Sequence, residues 1–309
     1  MLLDSRAFCV YKKFTISHSE RINMKIAVLS DIHGNHLALE KCIEEIENRK
    51  IEKMIFLGDY LGELAYPQKT MNIINTLRQC YECYFVRGNK EDYWIEYENK
   101  KTVEWKDKDS TTGALLYTYN NLNKEELSFF KSLSHMQIIS FEGLPAIAAY
   151  HGSHDKEDNK LKLNTDNSHV FFDDTVENVI LCGHTHVRNQ VMNDGRILLN
   201  PGSVGAPLKS SGMSQFLILS GEHGKWEYEF VDLNYDVERA IQELHEENLY
   251  VKAPCWTRIT EQLLRHGEIS HGEVLTRAMQ LLYNDTGKWS WPDIPENYWE
   301  RAIEELSKK

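Results

Sequence analysis

No stretch of the 309 residues approaches the roughly 18 consecutive apolar side chains of a membrane-spanning helix. Residues 1–23 carry Lys12, Lys13 and Arg21 but no apolar segment, so they are not read as a secretory signal. Met24 opens the first clear strand, and residues 1–23 are expected to be a loosely held extension or the product of an upstream start codon. A disulfide framework is also missing. The six cysteines (Cys9, Cys42, Cys80, Cys83, Cys182, Cys255) are scattered, which points to reduced thiols and a cytoplasmic setting. Cys80 and Cys83 have CxxC spacing, but no second pair follows, so structural thiols are expected there rather than a zinc or redox site. Basic charge is scarce: 35 Lys and Arg stand against 47 Asp and Glu, giving a net charge of −12. That balance argues against long nucleic acid or an anionic membrane as partner. It leaves a small anionic substrate open, because bound cations can supply local positive charge. No internal repeat, low-complexity tract or long Gly/Ser linker occurs.

What is present suits a globular chain with an ample core, since 41% of the residues are hydrophobic. Ile26–Leu29 is a continuous apolar run, as in a strand buried on both faces. Leu39, Cys42, Ile43 and Ile46 recur at helical spacing. Met54–Leu57 reads as a strand, Thr70–Cys80 as a helix and Cys83–Val86 as a third strand. This β-α-β-α-β order favours a parallel sheet with right-handed crossovers. Residues 91–133 are expected to form a helical insert beside the site, with Asn123 capping its last helix and Glu126 three residues on. Strands follow at Gln137–Phe141, Ile147–Tyr150, Asn178–Cys182, Arg196–Asn200, Phe216–Ser220 and Trp226–Leu233. Asn193-Asp194-Gly195 carries a hairpin signal, and Gly221–Lys225 a second one. These later strands are expected to build a more antiparallel second sheet packed on the first. Asp236–Tyr250 reads as one helix, and two or three more fill residues 251–309, where Trp289, Trp291 and Trp299 are expected to pack on the body.

Five short fragments carry the chemistry: Asp31-Ile-His33, Gly58-Asp59, Gly88-Asn89, His151-Gly152 and Gly183-His184-Thr185-His186. Each follows a strand-like apolar run, so their side chains can converge on one rim of a sheet. Taken alone, each is commonly a turn, a cap or a hydrogen-bonded histidine. Together they supply seven N/O donors and no thiolate, a set that suits Mn²⁺, Zn²⁺ or Fe. A carboxylate such as Asp59 has two oxygens and can bridge two cations. Two histidines one residue apart in an extended loop can point the same way. The ordered set reads as a two-metal centre for phosphate-ester hydrolysis, with attack by a hydroxide held between the cations.

These fragments resemble the calcineurin-like metallophosphoesterase signature, which runs D-x-H, G-D, G-N-H/C-[DE], G-H and G-H-x-H. The resemblance is to the bacterial branch of compact phosphodiesterases, and Leu199-Asn200-Pro201-Gly202-Ser203 also matches that branch. It spans about residues 24–235. It implies a four-layer α/β/β/α sandwich, to which the helices read over 236–309 add a C-terminal helical extension. It also implies that Asp31, His33, Asp59 and His186 hold one divalent ion, while Asp59, Asn89, His151 and His184 hold the other. Mn²⁺ is the expected metal, with Fe, Ni²⁺ or Zn²⁺ as alternatives. The implied activity is that of a phosphoric ester hydrolase.

One position departs from the pattern. Many relatives carry His after the Gly-Asn, and this chain carries Lys90. Lysine is a poor acid near neutral pH unless burial lowers its pKa. Lys90 is either a cation for the phosphoryl group or a solvated surface residue, and esters with good leaving groups should tolerate it best. Asp59, Asn89 and Lys90 are the expected catalytic residues. Asn89, Lys90, His36, Asn200 and Ser203 are the expected substrate contacts, and Arg87 and Arg188 flank the ligands. The competing readings are a metal-dependent nuclease or cyclic-nucleotide phosphodiesterase, and a non-catalytic metal-binding scaffold. Homo-oligomerisation is left open.

Overall fold

In a computed structural model, which describes residues 24–100, 103–152 and 169–307, the apolar run Ile26–Leu29 is fully buried in the middle strand of a five-stranded sheet. The expectations for residues 1–23 and Cys9 fall outside the described residues. In chain order the elements are β1 (Met24–Leu29), α1 (His36–Asn48), β2 (Lys53–Phe56), α2 (Pro67–Cys80), β3 (Glu82–Phe85) and α3 (Asn89–Glu98). Next come α4 (Gly113–Asn120), α5 (Lys124–Ser132), β4 (Met136–Ile139), β5 (Ile147–Tyr150) and α6 (His169–Asp174). Then β6 (Val179–Leu181), β7 (Asn189–Asn193), β8 (Arg196–Asn200), β9 (Ser214–Glu222) and β10 (Lys225–Leu233) follow. The chain closes with α7 (Val237–Glu246), α8 (Leu249–Lys252), α9 (Pro254–His266), α10 (His271–Thr286) and α11 (Glu296–Leu306).

Two five-stranded mixed sheets result, ordered β10-β9-β1-β2-β3 and β4-β5-β6-β8-β7. In the first, β1, β2 and β3 are parallel, while β9 runs antiparallel to β1 and β10 antiparallel to β9. In the second, β5, β6 and β8 are parallel, with β4 and β7 antiparallel at the edges. The expected antiparallel second sheet is therefore corrected on two counts: its centre is parallel, and β9 and β10 leave it for the first sheet. Burial explains the second point. β1 is apolar on both faces and needs a neighbour on either side; β9 is buried along most of its length and supplies one. β10 is largely exposed and takes the edge.

The alternation of side chains across β1 sorts the core into layers. Ile26 and Val28 face Leu217, Ile147, Ala149 and Leu181 between the sheets. Ala27 and Leu29 face the helices, among Leu39, Met71, Trp94 and Phe130. On the far side, Ala148, Tyr150 and Ile180 pack against Phe171 and Phe172 of α6, a helix with no counterpart in the sequence reading. The order is helices, sheet, sheet, helix. Each fully buried Leu, Ile or Val in these layers contributes about 1.5–3 kcal/mol relative to an exposed one.

The helical segments differ from expectation in detail. Asn123 caps α5 by accepting from Glu126 N (2.9 Å), while Glu126 accepts from Asn123 N (2.9 Å). Helices α3, α4 and α5 pack mainly on the first sheet, where Phe85 stacks on Phe56 and meets Phe129 edge-on. The helix expected over Asp236–Tyr250 is broken, because Asn248 adopts a left-handed conformation (φ 57°) between α7 and α8. Helices α9, α10 and α11 share a core of their own, centred on Trp299. Trp289 and Trp291 do not join it; they are 56% and 44% exposed, and Trp289 stacks on Tyr283. No helix among the described residues is long and apolar enough to cross a membrane.

Candidate metal centre

Strands β1, β2 and β3 are parallel to one another, as are β5 and β6, and the loops that follow these strands meet. Those loops hold unusual backbone. Asp31, His33, Asp59, His184 and His186 all have positive φ, between 52° and 68°. Such conformations disfavour residues with a Cβ and persist where surrounding contacts over-determine them. Here the loops bind one another. Asp31 N donates to Gly58 O (3.1 Å), His33 N to Asp59 O (2.9 Å), Gly183 N to His151 O (2.8 Å) and Gly205 N to Asp31 O (3.0 Å). Gly58 (φ 96°) has to be glycine: a Cβ there would lie 2.6 Å from Gly88 N and 2.9 Å from His151 Nδ1.

The seven expected donors come together in a continuous string. Asp31 Oδ1 is 3.3 Å from His186 Nε2, which is 2.9 Å from His33 Nε2. His33 Nε2 is 3.7 Å from Asp59 Oδ2, and Asp59 Oδ1 is 3.4 Å from His151 Nε2. His151 Nε2 is 3.0 Å from Asn89 Oδ1, which is 2.9 Å from His184 Nδ1. Asp59 thus stands in the middle, one oxygen towards each half. Among the described residues, two groups present mutually close ligand atoms: Asp31, His33 and His186, and Asp31, Asp59 and His151. Two of the histidines are anchored on backbone carbonyls through their other ring nitrogen, His151 Nδ1 on Leu57 O (2.7 Å) and His186 Nδ1 on Ala206 O (2.8 Å). Such anchoring fixes the tautomer, leaving Nε2 as the free ligand atom.

The electrostatics follow from this crowding. Burial alone would raise the Asp31 carboxyl, but His186, His33 and His151 hold it well below the usual range. Burial likewise opposes ionisation of Asp59, yet His151 and His33 leave it lowered. Burial pulls His33 down while Glu63, Asp31 and Asp59 outweigh it, raising it to about 10. His151 is raised to about 9, with Asp59, Asp31 and Glu91 overcoming its burial. Asp31 Oδ1 is buried without a hydrogen-bond partner, facing His33 and His186. A buried orphan carboxylate oxygen beside imidazole nitrogens fits a divalent cation.

The other expected site residues are placed differently. His36 is corrected: its ring points to the C-terminal helices, with Nε2 2.8 Å from Glu243 Oε2 and Nδ1 3.5 Å from Glu40. Asn200 is fully buried and supports the 183–186 loop, donating to Gly183 O (2.8 Å) and Thr185 Oγ1 (3.1 Å). Ser203 is also fully buried, donating to Asp31 O (2.7 Å) and accepting from Ala206 N (2.8 Å). Their hydrogen-bonding capacity is used on the loops, so both are corrected from substrate contacts to loop supports. Lys90 is held by the protein: its ammonium is directed onto Glu63 Oε1 (2.5 Å) and lies 5.4 Å from the Trp256 ring. Burial opposes its charge, but Glu63 and Asp59 raise its pKa, so it stays an ammonium. Arg87 pairs with Asp92 (3.1 Å) and Arg188 with Asp232 (2.5 Å).

Several residues have roles that the sequence reading did not assign. Glu91, which stands at the [DE] position of the signature in Gly88-Asn89-Lys90-Glu91, accepts from Gly88 N (2.8 Å), Asp59 N (3.0 Å) and Tyr60 N (3.0 Å), tying together the loops that carry Asp59 and Asn89. Glu63 bridges His33 and Lys90, and nothing in its local sequence marks it. Trp256 and His271 come from the C-terminal helices and stack at 4.4 Å. Burial, together with the cationic Lys90 and His33 nearby, lowers His271 to about 3 against the pull of Glu63.

Two mixed sheets between helices, with a buried Asp/His cluster at the strand ends, define the α/β metallophosphoesterase fold. The chain belongs to the calcineurin-like phosphoesterase superfamily, whose domain model matches residues 24–224. It is 28% identical to the Methanocaldococcus jannaschii protein MJ0912 over 247 residues, covering 72% of this chain and 93% of the relative. Hypothetical protein PH1004 from Pyrococcus horikoshii shares the fold at a TM-score of 0.66 and 20% identity, over 80% of this chain and 100% of that one. A metallophosphoesterase from Sphaerobacter thermophilus does so at 0.60 and 20%, over 75% and 98%. Members of this superfamily typically bind divalent metals, and the Asp/His clusters are consistent with that.

Proposed function

We propose that the protein is a two-metal phosphoesterase of the compact phosphodiesterase kind, acting on a small phosphate ester. The observation that carries this reading is Asp59, buried between two sets of N/O donors with one carboxylate oxygen towards each. In this assignment Asp31, His33, Asp59 and His186 hold one ion, and Asp59, Asn89, His151 and His184 the other. Mn²⁺ suits such a set, with Fe, Ni²⁺ or Zn²⁺ as alternatives. When bound, the ions activate water at neutral pH and offset charge on the phosphoryl oxygens. The chain does the rest. The interlocked, left-handed loops keep the donors in place, so little reorganisation is needed as charge develops. Asn89 turns its carbonyl oxygen to His151 and His184, and its amide nitrogen is assigned to the phosphate. Lys90 is spent on Glu63 and does not supply the leaving-group proton, which favours esters with stable leaving groups.

The experiment is hydrolysis of bis-p-nitrophenyl phosphate. Mn²⁺-loaded protein should turn over, chelation should stop it and added Mn²⁺ should restore it. His184→Ala should lower the rate by about a hundredfold or more. Equal rates for wild type, the chelated protein and His184→Ala would refute the reading, and metal uptake without turnover would favour a scaffold. Nuclease action on long DNA is disfavoured by the net charge of −12.

Metal uptake should also depend on pH with a definite sign. His33 at about 10 and His151 at about 9 carry protons at neutral pH that a cation must displace. Apparent Mn²⁺ affinity should therefore rise from pH 6 to pH 9, with protons released on binding. Calorimetry in buffers of different ionisation enthalpy reads both. A flat affinity with no proton release contradicts the assignment.

A further inference from the structure

We propose that Glu63 is a positioning residue for the metal centre and that Lys90 acts through it, as its charge partner, rather than on the phosphate. This rests on the assignment of His33 as a metal ligand. Glu63 lies in the loop between β2 and α2 and is almost wholly buried. Its Oε2 stands 2.6 Å from His33 Nδ1, and its Oε1 receives the Lys90 ammonium at 2.5 Å. His33 differs from His151 and His186 here, since their Nδ1 atoms are held by backbone carbonyls. A carboxylate on Nδ1 keeps the proton there, presents Nε2 to the cation and makes the imidazole a stronger ligand.

The surroundings are built for this arrangement. Gly62 leaves room for the His33 ring, because a Cβ at that position would lie 2.5 Å from Nδ1. Thr118 of α4 holds the same loop by donating to Gly62 O (3.0 Å). A buried carboxylate needs compensation, and a cation within hydrogen-bond reach provides it. Lys90 provides it while covered by the Trp256 ring of α9, itself stacked on His271 of α10. Helices α9 and α10 lie beyond the matched domain at residues 24–224 and reach Lys90 through Trp256.

The test is a double-mutant cycle on the full-length protein, stripped of metal and titrated with Mn²⁺ by calorimetry. Circular dichroism and thermal unfolding check that each variant folds. Glu63→Gln should weaken Mn²⁺ binding at one site by about ten- to a hundredfold. Lys90→Met should weaken it by about tenfold, and the double variant should bind no worse than Glu63→Gln alone, because Lys90 acts through Glu63. Inhibition of the Mn²⁺-loaded enzyme by inorganic phosphate should be unchanged in Lys90→Met. Wild-type Mn²⁺ affinity in a folded Glu63→Gln variant would overturn the proposal. So would a Lys90→Met variant with unaltered Mn²⁺ affinity but weakened phosphate inhibition, which would make Lys90 a phosphate ligand. If the wild-type protein itself takes up no Mn²⁺, the metal-ligand role of His33 falls, and both readings fall with it.

Discussion

Replacing Asp59 with Asn should lower phosphodiester hydrolysis by at least about a thousandfold and cut bound metal from two ions to one or none. The size of the effect follows from its place. Asp59 Oδ2 is 3.7 Å from His33 Nε2, and its Oδ1 is 3.4 Å from His151 Nε2. Its two oxygens are thus set against histidines of different halves of the string. Asn keeps the shape but loses the negative charge and one acceptor, so two cations would have to sit close together with less to offset their repulsion. Losing one well-placed electrostatic group in an active site typically costs about 10²–10³ in rate, and under the proposed assignment a shared ligand is lost as well. Elemental analysis gives the metal count and p-nitrophenol release gives the rate. Because Asp59 also accepts from Lys90 N (2.9 Å), an Asn that flips its amide would add a local strain, visible as a modest fall in thermal stability. An Asp59→Asn protein with two ions and near-normal turnover would remove the central ligand from the assignment.

The site was legible in the sequence wherever a function needs a particular residue type next to a strand end. Asp31-Ile-His33 and Gly183-His184-Thr185-His186 announce themselves because ligand chemistry allows few substitutes and the preceding apolar run fixes where they fall. Gly58 could be read as a turn, but its close approach to Gly88 and His151 depends on two other strands. His36, Asn200 and Ser203 were misjudged for one reason. Nearness along the chain to a ligand says nothing of where a side chain turns, and each of these turns into the protein to satisfy buried partners: Glu243, Gly183 O and Asp31 O. Lys90 could not be placed at all without Glu63, which lies 27 residues earlier and meets it only through the fold.

The fold was legible to a similar depth. A continuous apolar run marks a doubly buried strand, and β1, β2 and β5 were recoverable on that basis. Which sheet a late strand joins is a tertiary choice. β9 reads locally as a member of the neighbouring β-rich region, yet it pairs Ala27 with Ile218 and Val28 with Leu217 across β1. The break at Asn248 was hidden because a left-handed residue inside a helical pattern leaves no change of period. Helix α6 is a single short segment and carries too few residues to show a period at all.

Glu91→Leu should be the most damaging single change outside the ligand set, both to stability and to the metal centre. Glu91 is fully buried and accepts three backbone N–H groups, from Gly88, Asp59 and Tyr60. Leucine fills much of the same space but accepts none of them. A buried donor left without an acceptor costs about 1–3 kcal/mol, so three together should destabilise the fold by roughly 3–6 kcal/mol. For a chain of this size that corresponds to a fall in Tm of about 10 °C or more. The damage should begin locally, since the loops released are those that hold Asp59 in its left-handed conformation and start α3 at Asn89. Mn²⁺ affinity should therefore drop in Glu91→Leu even well below the unfolding temperature, whereas a comparable core truncation such as Leu127→Ala should lower Tm and leave Mn²⁺ affinity near wild type. Scanning calorimetry and Mn²⁺ titration on the two variants separate these effects. A Glu91→Leu protein that unfolds within about 2 °C of wild type would mean that the three N–H groups find other acceptors, and that Glu91 is not what joins the two loops.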